Sequence, residues 1–459
     1  MSLLTSLQAA RRGIQVASEG INVTSHNTTN ATTPGYTRRT MKVSTMSPLQ
    51  RNGVYLGQGA QTLAFRRVAD RFVDARLVDA QSAQARSKSA YETLSLLESR
   101  LADGTAGSIQ ENYSSFLDAL QLMASDPADT GRRYQVVETA SQFTSSVKET
   151  TSFFTDMQGN IKDTLESSVS ALNGMLVQIA DLNGEIGASG GSLGAADLID
   201  QRNALIEELS LEVGVKAQLM SNGQAVVFLD GHPLVQDDFA RSLSYGTDSN
   251  GDPQILVSAS SGTIDITDGL GGDLRGRLDA YDDATVFKAN LSTFVTDFST
   301  AFNTQHAAGF DKNGNPGGDF FNFDPADPLS SFDVTAAVIA DTTLIAAAGN
   351  ATAFAGDHGN LDSLHALQDS LLFNGGTTKP GTYISELYTD IARGVADAER
   401  DYDVNTTRFS DLSEMRAAIS GVNFDEEASN LMHYQASYEA AARVITVSNG
   451  LLGTLMEIV

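Results

Sequence analysis

The chain has 459 residues and a formal charge of −27, from 57 Asp/Glu against 30 Lys/Arg, a balance that argues against nucleic-acid binding. Cysteine and tryptophan are both absent, which excludes disulfide staples, thiolate metal sites and cysteine nucleophiles. Hydrophobic residues make up 41% and aromatics 7%, enough for lightly aromatic cores in about two to four domains.

No stretch approaches the ~18 consecutive apolar residues of a membrane span, so no membrane insertion is expected. The first apolar residues (Leu3, Leu4, Leu7, Ile14, Val16) are spaced, and Arg11 and Arg12 interrupt them, unlike a cleavable signal peptide. Missing cysteines suit either a cytosolic protein or one exported unfolded. Charge is uneven: residues 1–70 carry +6, residues 420–459 carry −4, and the middle carries −29. The two ends are thus of opposite sign and could meet, although a solvated acidic surface would show similar fluctuation.

In chain order, Leu7, Ala10, Ile14, Ala17, Ile21, Thr24, Thr28 and Ala31 follow the 3–4 step of a helical seam. Thr33-Pro34-Gly35-Tyr36 ends it, since the residue before proline leaves the helical region and Pro-Gly suits a type II turn. Residues 37–65 read as irregular β-hairpin. Helix is expected from about Phe65 to Leu101 and from Ile109 to Met123. The longest stripe follows, from Val137 through Phe154, Ile161 and Leu172 to Ile186, roughly 75 Å of helix. A Gly-rich break at 187–194 precedes helix from Ala195 to Leu211.

After Gly214 the pattern changes. Residues 215–219 and 224–229 read as strands around Asn222-Gly223, a turn in which both residues take positive φ. Residues 243–245, 255–257 and 263–267 are further strands. Helix returns from Leu274 to His306, residues 311–360 are mixed, and helix is expected from Ser385 to Phe409. The last stripe runs Ala428, Leu431, Gln435, Tyr438, Ala442, Ile445, Asn449, Leu452, Met456, Val459, with Asp425, Glu426 and Glu427 in its first turn, where negative charge suits the helix dipole.

The segment Ser25-His26-Asn27-Thr28-Thr29-Asn30-Ala31-Thr32-Thr33-Pro34-Gly35-Tyr36-Thr37-Arg38 resembles the N-terminal signature of the flagellar rod, hook and hook-associated axial proteins, usually close to S-N-N-I-A-N-A-N-T-P-G-Y-S-R. Here His26 stands for an Asn, Thr28-Thr29 for Ile-Ala, and Thr32 for an Asn. The far end, Gly421-Val422-Asn423-Phe424-Asp425-Glu426-Glu427 with Asn430-Leu431, Tyr434-Gln435 and Tyr438, resembles the same family's C-terminal helix. The long helices up to residue 211, and Gly309-Phe310-Asp311 with Asn313-Gly314-Asn315, are similar to its hook-associated branch.

The resemblance implies a mainly α fold with a β-rich insertion. The expected domains are a coiled-coil-like terminal domain (1–33 with 421–459), a helical bundle (34–213, 277–310, 385–420), an inserted β domain (214–276) and a mixed segment (311–384). It implies a structural subunit that joins hook to filament, forms a homo-oligomeric ring, and touches the hook protein and a second junction protein. It also implies passage through the flagellar type III export apparatus to an extracellular site, with a cytoplasmic chaperone on the C-terminal helix. Assembly contacts are expected at Leu7, Ile14, Ile21, Asn22, His26, Asn27, Asn30, Pro34, Gly35 and Tyr36. At the other end they are expected at Asn423, Asp425, Glu426, Glu427, Leu431, Tyr434, Gln435, Tyr438, Ile445 and Leu452. Both tails bury too little alone to stay ordered in a monomer and are expected to fold together on assembly.

Other chemistry is weaker. Gly190-Gly191-Ser192-Leu193-Gly194 matches the hydrolase nucleophile elbow, which needs a strand before the serine; a flexible connection between helices fits better. Asp311-Lys312-Asn313-Gly314-Asn315 and Asp248-Ser249-Asn250-Gly251-Asp252 lack the sixth-position glycine of a calcium loop. The six histidines are scattered, and His26 shares a row with Asn22 and Asn30, either an exposed polar face or an inter-subunit hydrogen-bonding stripe. No catalytic constellation, metal site or cofactor is expected. The alternatives are a hook or distal-rod subunit, favoured if residues 60–211 are mostly strand; a serine hydrolase using Ser192; and a cytosolic coiled-coil scaffold.

Overall fold

The computed structural model describes residues 2–33, 35–51, 53–101, 107–189, 193–352 and 356–458. Helix α1 spans Ser2–Thr29. An antiparallel pair follows, β1 (Arg39–Thr45) with β4 (Ala60–Arg67), in register from Arg39↔Arg67 and with a bulge between Lys42 and Val43. Its tip is a second pair, β2 (Leu49–Arg51) with β3 (Val54–Leu56). Helices α2 (Arg71–Leu101), α3 (Ile109–Ala124), α4 (Thr130–Ala188) and α5 (Leu193–Val213) come next. Among the described residues, the stretch that a rod or hook alternative would fill with strand is therefore mainly helical from Arg71 onward, in α2 to α5.

Strands β5 (Lys216–Leu219), β6 (Ala225–Leu229), β7 (His232–Gln236) and β8 (Phe239–Ala240) form one sheet in that order. Strands β9 (Leu243–Thr247), β10 (Pro253–Ala259) and β11 (Gly262–Asp265) form another, with β10 central. Helix α6 (Gly272–Ala308) leads to β12 (Phe321–Asn322), α7 (Pro328–Ser331), β13 (Asp333–Val334), α8 (Ala336–Ala340) and α9 (Gly359–His365). Two long helices close the chain, α10 (Pro380–Ser420) and α11 (Phe424–Ile458). The architecture is mainly α with β insertions.

Four local expectations need correction. Strand β4 continues to Arg67, so helix begins at Arg71 rather than Phe65. Helix α10 runs from Pro380 to Ser420 rather than 385–409; proline suits its first turn because the missing N–H would have no partner there. Strands β7 and β8 lie where none was expected. The turn after β5 is also different in kind. Gly223 has φ +90 and donates to Met220 O, while Asn222 is not in the positive-φ region. Met220 and Gln224 close it at 2.8 Å, so it is a three-residue loop with a left-handed glycine rather than a two-residue type I′ turn.

The chain divides into two compact units, residues 1–85, 168–272 and 404–459 in the first, and 86–167 and 273–403 in the second. The second unit holds most of the aromatic core. Phe116, Phe143, Phe294, Phe298, Phe302, Phe320, Phe332 and Phe373 are all under 3% exposed, with ring centroids mostly 5–6.5 Å apart, as in Phe294–Phe298 at 5.6 Å and Phe143–Phe332 at 5.6 Å. Phe294, Phe298 and Phe302 share one face of α6 because they are four residues apart. Most of the α4 stripe is buried: Val137, Ala140, Val147, Phe154, Ile161, Leu165, Leu172, Ile179 and Ile186 are all at or below 6% exposure, while Met175 and Leu182, read as part of it, are half-buried. In the first unit, Gly272 (φ +63) starts α6 where a side chain would meet Leu211 O at 2.3 Å, so only glycine fits.

Candidate assembly site

Helices α1 and α11 pack along each other. Two glycines of α1 face α11. A Cβ on Gly13 would sit 3.5 Å from Ala441 Cβ, and a Cβ on Gly20 would lie 2.6 Å from the Tyr434 ring. Ala10 and Ala17 are buried on α1, while Leu7, Ile14 and Ile21 are half-buried and Asn22 is exposed. On α11, Leu431, Tyr434, Ile445 and Leu452 are half-buried, but Gln435 and Tyr438 face water. The residues read as one seam are thus split between the helix pair and the open surface. Arg12 ties α1 to the segment before β4, donating to Gln58 O (2.8 Å) and Oε1 (3.1 Å).

The end of α1 forms a polar knot. Helix stops at Thr29, and Tyr36 N donates to Thr33 O at 3.2 Å across Gly35 (φ +75), as a type II turn requires. Pro34 lies outside the described residues. Asn27 is 1% exposed and makes three hydrogen bonds. Its Nδ2 donates to Arg39 O (2.9 Å), and its Oδ1 accepts from Arg39 N (2.9 Å) and Tyr36 Oη (2.7 Å). His26 Nδ1 lies 3.0 Å from Tyr36 Oη and 3.3 Å from Asn30 Nδ2, and its Nε2 faces Asp197 at 3.6 Å. Asn30 Nδ2 donates to His26 O at 3.0 Å. Burial pushes the Tyr36 phenol up to about 12, with Arg39 opposing, so the phenol remains a donor at neutral pH.

Residues that no sequence signal joined complete the knot. The Arg39 guanidinium, 3% exposed, pairs with Asp197 and, at 3.5 Å, with Asp200, and lies 5.5 Å from the Tyr36 ring centroid. Arg67 binds Asp200 at 2.6 Å and donates to Thr37 Oγ1 at 2.9 Å. Asp197 and Asp200 stand three residues apart on one face of α5 but ~160 residues from Arg39, beyond any helical or hairpin spacing rule. The start of α11 closes on the same region. Asn423 caps the helix, its Oδ1 accepting from Asp425 N (2.9 Å) and Glu426 N (3.3 Å), an arrangement that satisfies orphan donors. Glu426 pairs with Arg38 at 2.7 Å, and Arg38 N donates to Ser420 O at 3.0 Å. Glu427 is buried and Asp425 exposed. Arg38–Glu426 joins the basic and acidic ends within one chain.

Candidate chemistry elsewhere is accounted for locally. Ser192 lies outside the described residues, and the element before it is α4, not a strand. Asp311 Oδ1 accepts from the backbone of Asn313 (2.7 Å) and Asn315 (2.8 Å), and Asp248 Oδ1 from Asn250 and Asp252 (both 2.8 Å), so both carboxylates hold turns. Among the described residues, no group of three or more His, Cys, Asp or Glu could hold a metal ion, and no helix is long and apolar enough to cross a membrane.

Residues 94–321 match the family model described as "Flagellar hook-associated protein FlgK helical domain", and residues 397–458 match "Flagellar basal body rod FlgEFG protein C-terminal". The chain belongs to the flagellar hook-associated protein family. It is 26% identical to a protein named Flagellar hook-associated protein 1 of Escherichia coli K12, over 98% of both chains. It is 25% identical to a Bacillus subtilis 168 protein of the same name, over 98% of this chain and 97% of the relative. The fold matches the flagellar hook junction protein FlgK of Burkholderia pseudomallei with a TM-score of 0.68 at 17% identity, covering 75% of this chain and 100% of that one. This hook-associated family member is a structural component of the flagellar axis. Its C-terminal helix, inside the 397–458 match, is the one packed against α1 in the first unit.

Proposed function

We propose that this chain is the adaptor between hook and filament, a ring of subunits on which filament protein begins to polymerise. One observation carries the reading beyond the family likeness: the paired terminal helices leave large apolar side chains in water. Leu4, Met432, Val447 and Met456 are 56%, 64%, 62% and 82% exposed. On this reading, neighbouring subunits on more than one side of the helix pair cover these residues. Each would contribute roughly 1.5–3 kcal/mol if fully buried, so several together offset the cost of ordering the tails. A closed ring needs a heterologous contact, two different surfaces of one chain meeting.

On this reading the site residues of α1, the knot and α11 act in assembly, and the role is structural rather than catalytic. Residues 1–33 and 421–459 form the axial-core domain, order fully only on assembly, and contact the hook protein and a second junction protein. Export proceeds through the flagellar type III apparatus, with a chaperone holding the C-terminal helix. Electron microscopy of a deletion strain, with flagellin assayed in the medium, tests the role. Hooks without filaments and released flagellin support it; missing hooks place the chain in the hook or rod, and normal filaments refute it.

A further inference from the structure

The first unit contains a cleft of about 370 Å³ lined by five arginines, Arg39, Arg66, Arg67, Arg71 and Arg202, together with Asp74. Part of this charge is balanced inside the fold: Arg39 and Arg67 by Asp197 and Asp200, and Asp74 by Arg416 at 3.6 Å. Three guanidinium groups remain. Arg202 is fully buried, yet its bonds go to neutral groups, Gly223 O (2.6 Å), Asn203 Oδ1 (2.9 Å) and Asn183 Oδ1 (3.3 Å), and its Nε has no partner. Arg66 and Arg71 reach water at the rim and make no ion pair or hydrogen bond among the described residues. The remaining wall is apolar, with Phe65, Ile199, Leu219 and Met220.

Arg202 adds uncompensated positive charge beneath the cleft floor, and the two accessible guanidinium forks, Arg66 and Arg71, can bind carboxylates in two-point fashion. The rest of the chain sets which anion that is. At −27, two copies repel at most approach angles, and close contact requires a place where the sign reverses. We propose that this cleft receives the carboxylates of an acidic segment of a second copy of the chain, forming one half of the heterologous contact between neighbouring subunits. The inference rests on the reading of the chain as a ring-forming axial subunit.

A benzophenone amino acid in place of Met220, 44% exposed at the cleft, keeps every arginine and probes the occupant directly. Irradiated flagella carrying the full-length probe should yield a species of twice the chain mass, with the label on an acidic peptide of the same sequence. The purified, concentrated full chain should give the same product. Adding R66E and R71E should cut that yield at least fivefold, and R66K with R71K should retain most of it, with unchanged circular dichroism in both. A product joined to a different flagellar protein, or only monomer while filaments form, would overturn the proposal. So would a yield that R66E and R71E leave unchanged. Failure of the unmodified chain to restore filaments in a deletion strain would sink the junction reading instead, since the purified chain reports the contact independently.

Discussion

Asn27 and Arg39 exchange a full pair of hydrogen bonds: the Asn27 amide donates to Arg39 O and accepts from Arg39 N, both at 2.9 Å. The side chain of a helical residue thus occupies the place a neighbouring strand would take beside the first residue of β1. That contact sets where α1 ends relative to β1, and it explains why asparagine, with a donor and an acceptor on one planar group, stands there. Asn27→Ala should leave two buried backbone groups, Arg39 N and Arg39 O, unpartnered, and Tyr36 Oη with His26 alone. The expected loss is about 2–4 kcal/mol, given ~1–3 kcal/mol for each unsatisfied group with partial relief by water. Denaturant unfolding checks it, and Asn27→Asp should cost nearly as much because a carboxylate cannot donate to Arg39 O.

Arg39→Ala removes the cation between Asp197 and Asp200. Asp200 is 11% exposed and Asp197 48%, so only one carboxylate is left substantially buried. A loss of about 2–3 kcal/mol is expected, below the ~3–5 kcal/mol of a fully buried pair. Arg39→Lys should recover only part of this, because one ammonium cannot bridge both acids in the planar geometry of a guanidinium. Urea titration of both variants at one ionic strength would decide.

The absence of cysteine makes the α1–α11 contact testable by a disulfide. Gly13→Cys with Ala441→Cys places two Cβ atoms near the 3.5 Å separation expected for that pair, within the ~3.5–4.5 Å range of natural disulfides. Oxidised protein should run with a shifted mobility on a non-reducing gel. The pair Gly13→Cys with Gln435→Cys, the second residue facing water, should not close. Equal closure of both pairs would contradict the packing. Gly20→Leu, driven into the Tyr434 ring, should loosen the same helices and raise amide exchange in α1.

His306 is 1% exposed, donates from Nδ1 to Gly318 O (2.7 Å) and accepts at Nε2 from Ala346 N (3.0 Å), which fixes it neutral. Burial holds its pKa below the ordinary histidine value. The unfolded chain therefore binds the proton first as pH falls. This contribution to stability is complete above about pH 6.5, the unfolded value, and declines as pH drops below it. Unfolding midpoints of the second unit should fall between pH 7 and 5, with a smaller slope in His306→Gln.

The helices were legible because their stripes are long. Val137 to Ile186 repeats an apolar position through fourteen turns or so at 3.6 residues each, and that signal survives without knowledge of any partner. Short strands carry no such redundancy: β7 includes Pro233, and β8 is two residues long. The Asn27–Pro34–Tyr36 region could be singled out by resemblance, but not its partners. Asp197 and Asp200 reach Arg39 only through the path of α5, which no local pattern specifies. Gly20 escaped for another reason: an apolar seam is read from large residues, whereas the Tyr434 ring of α11 packs against α1 where α1 has no side chain.

Gold-labelled antibody against this chain, applied to intact flagella and viewed by electron microscopy, addresses the central claim most directly. The account predicts label confined to a narrow band where hook meets filament. Label spread along the hook, or confined to the rod, would contradict it.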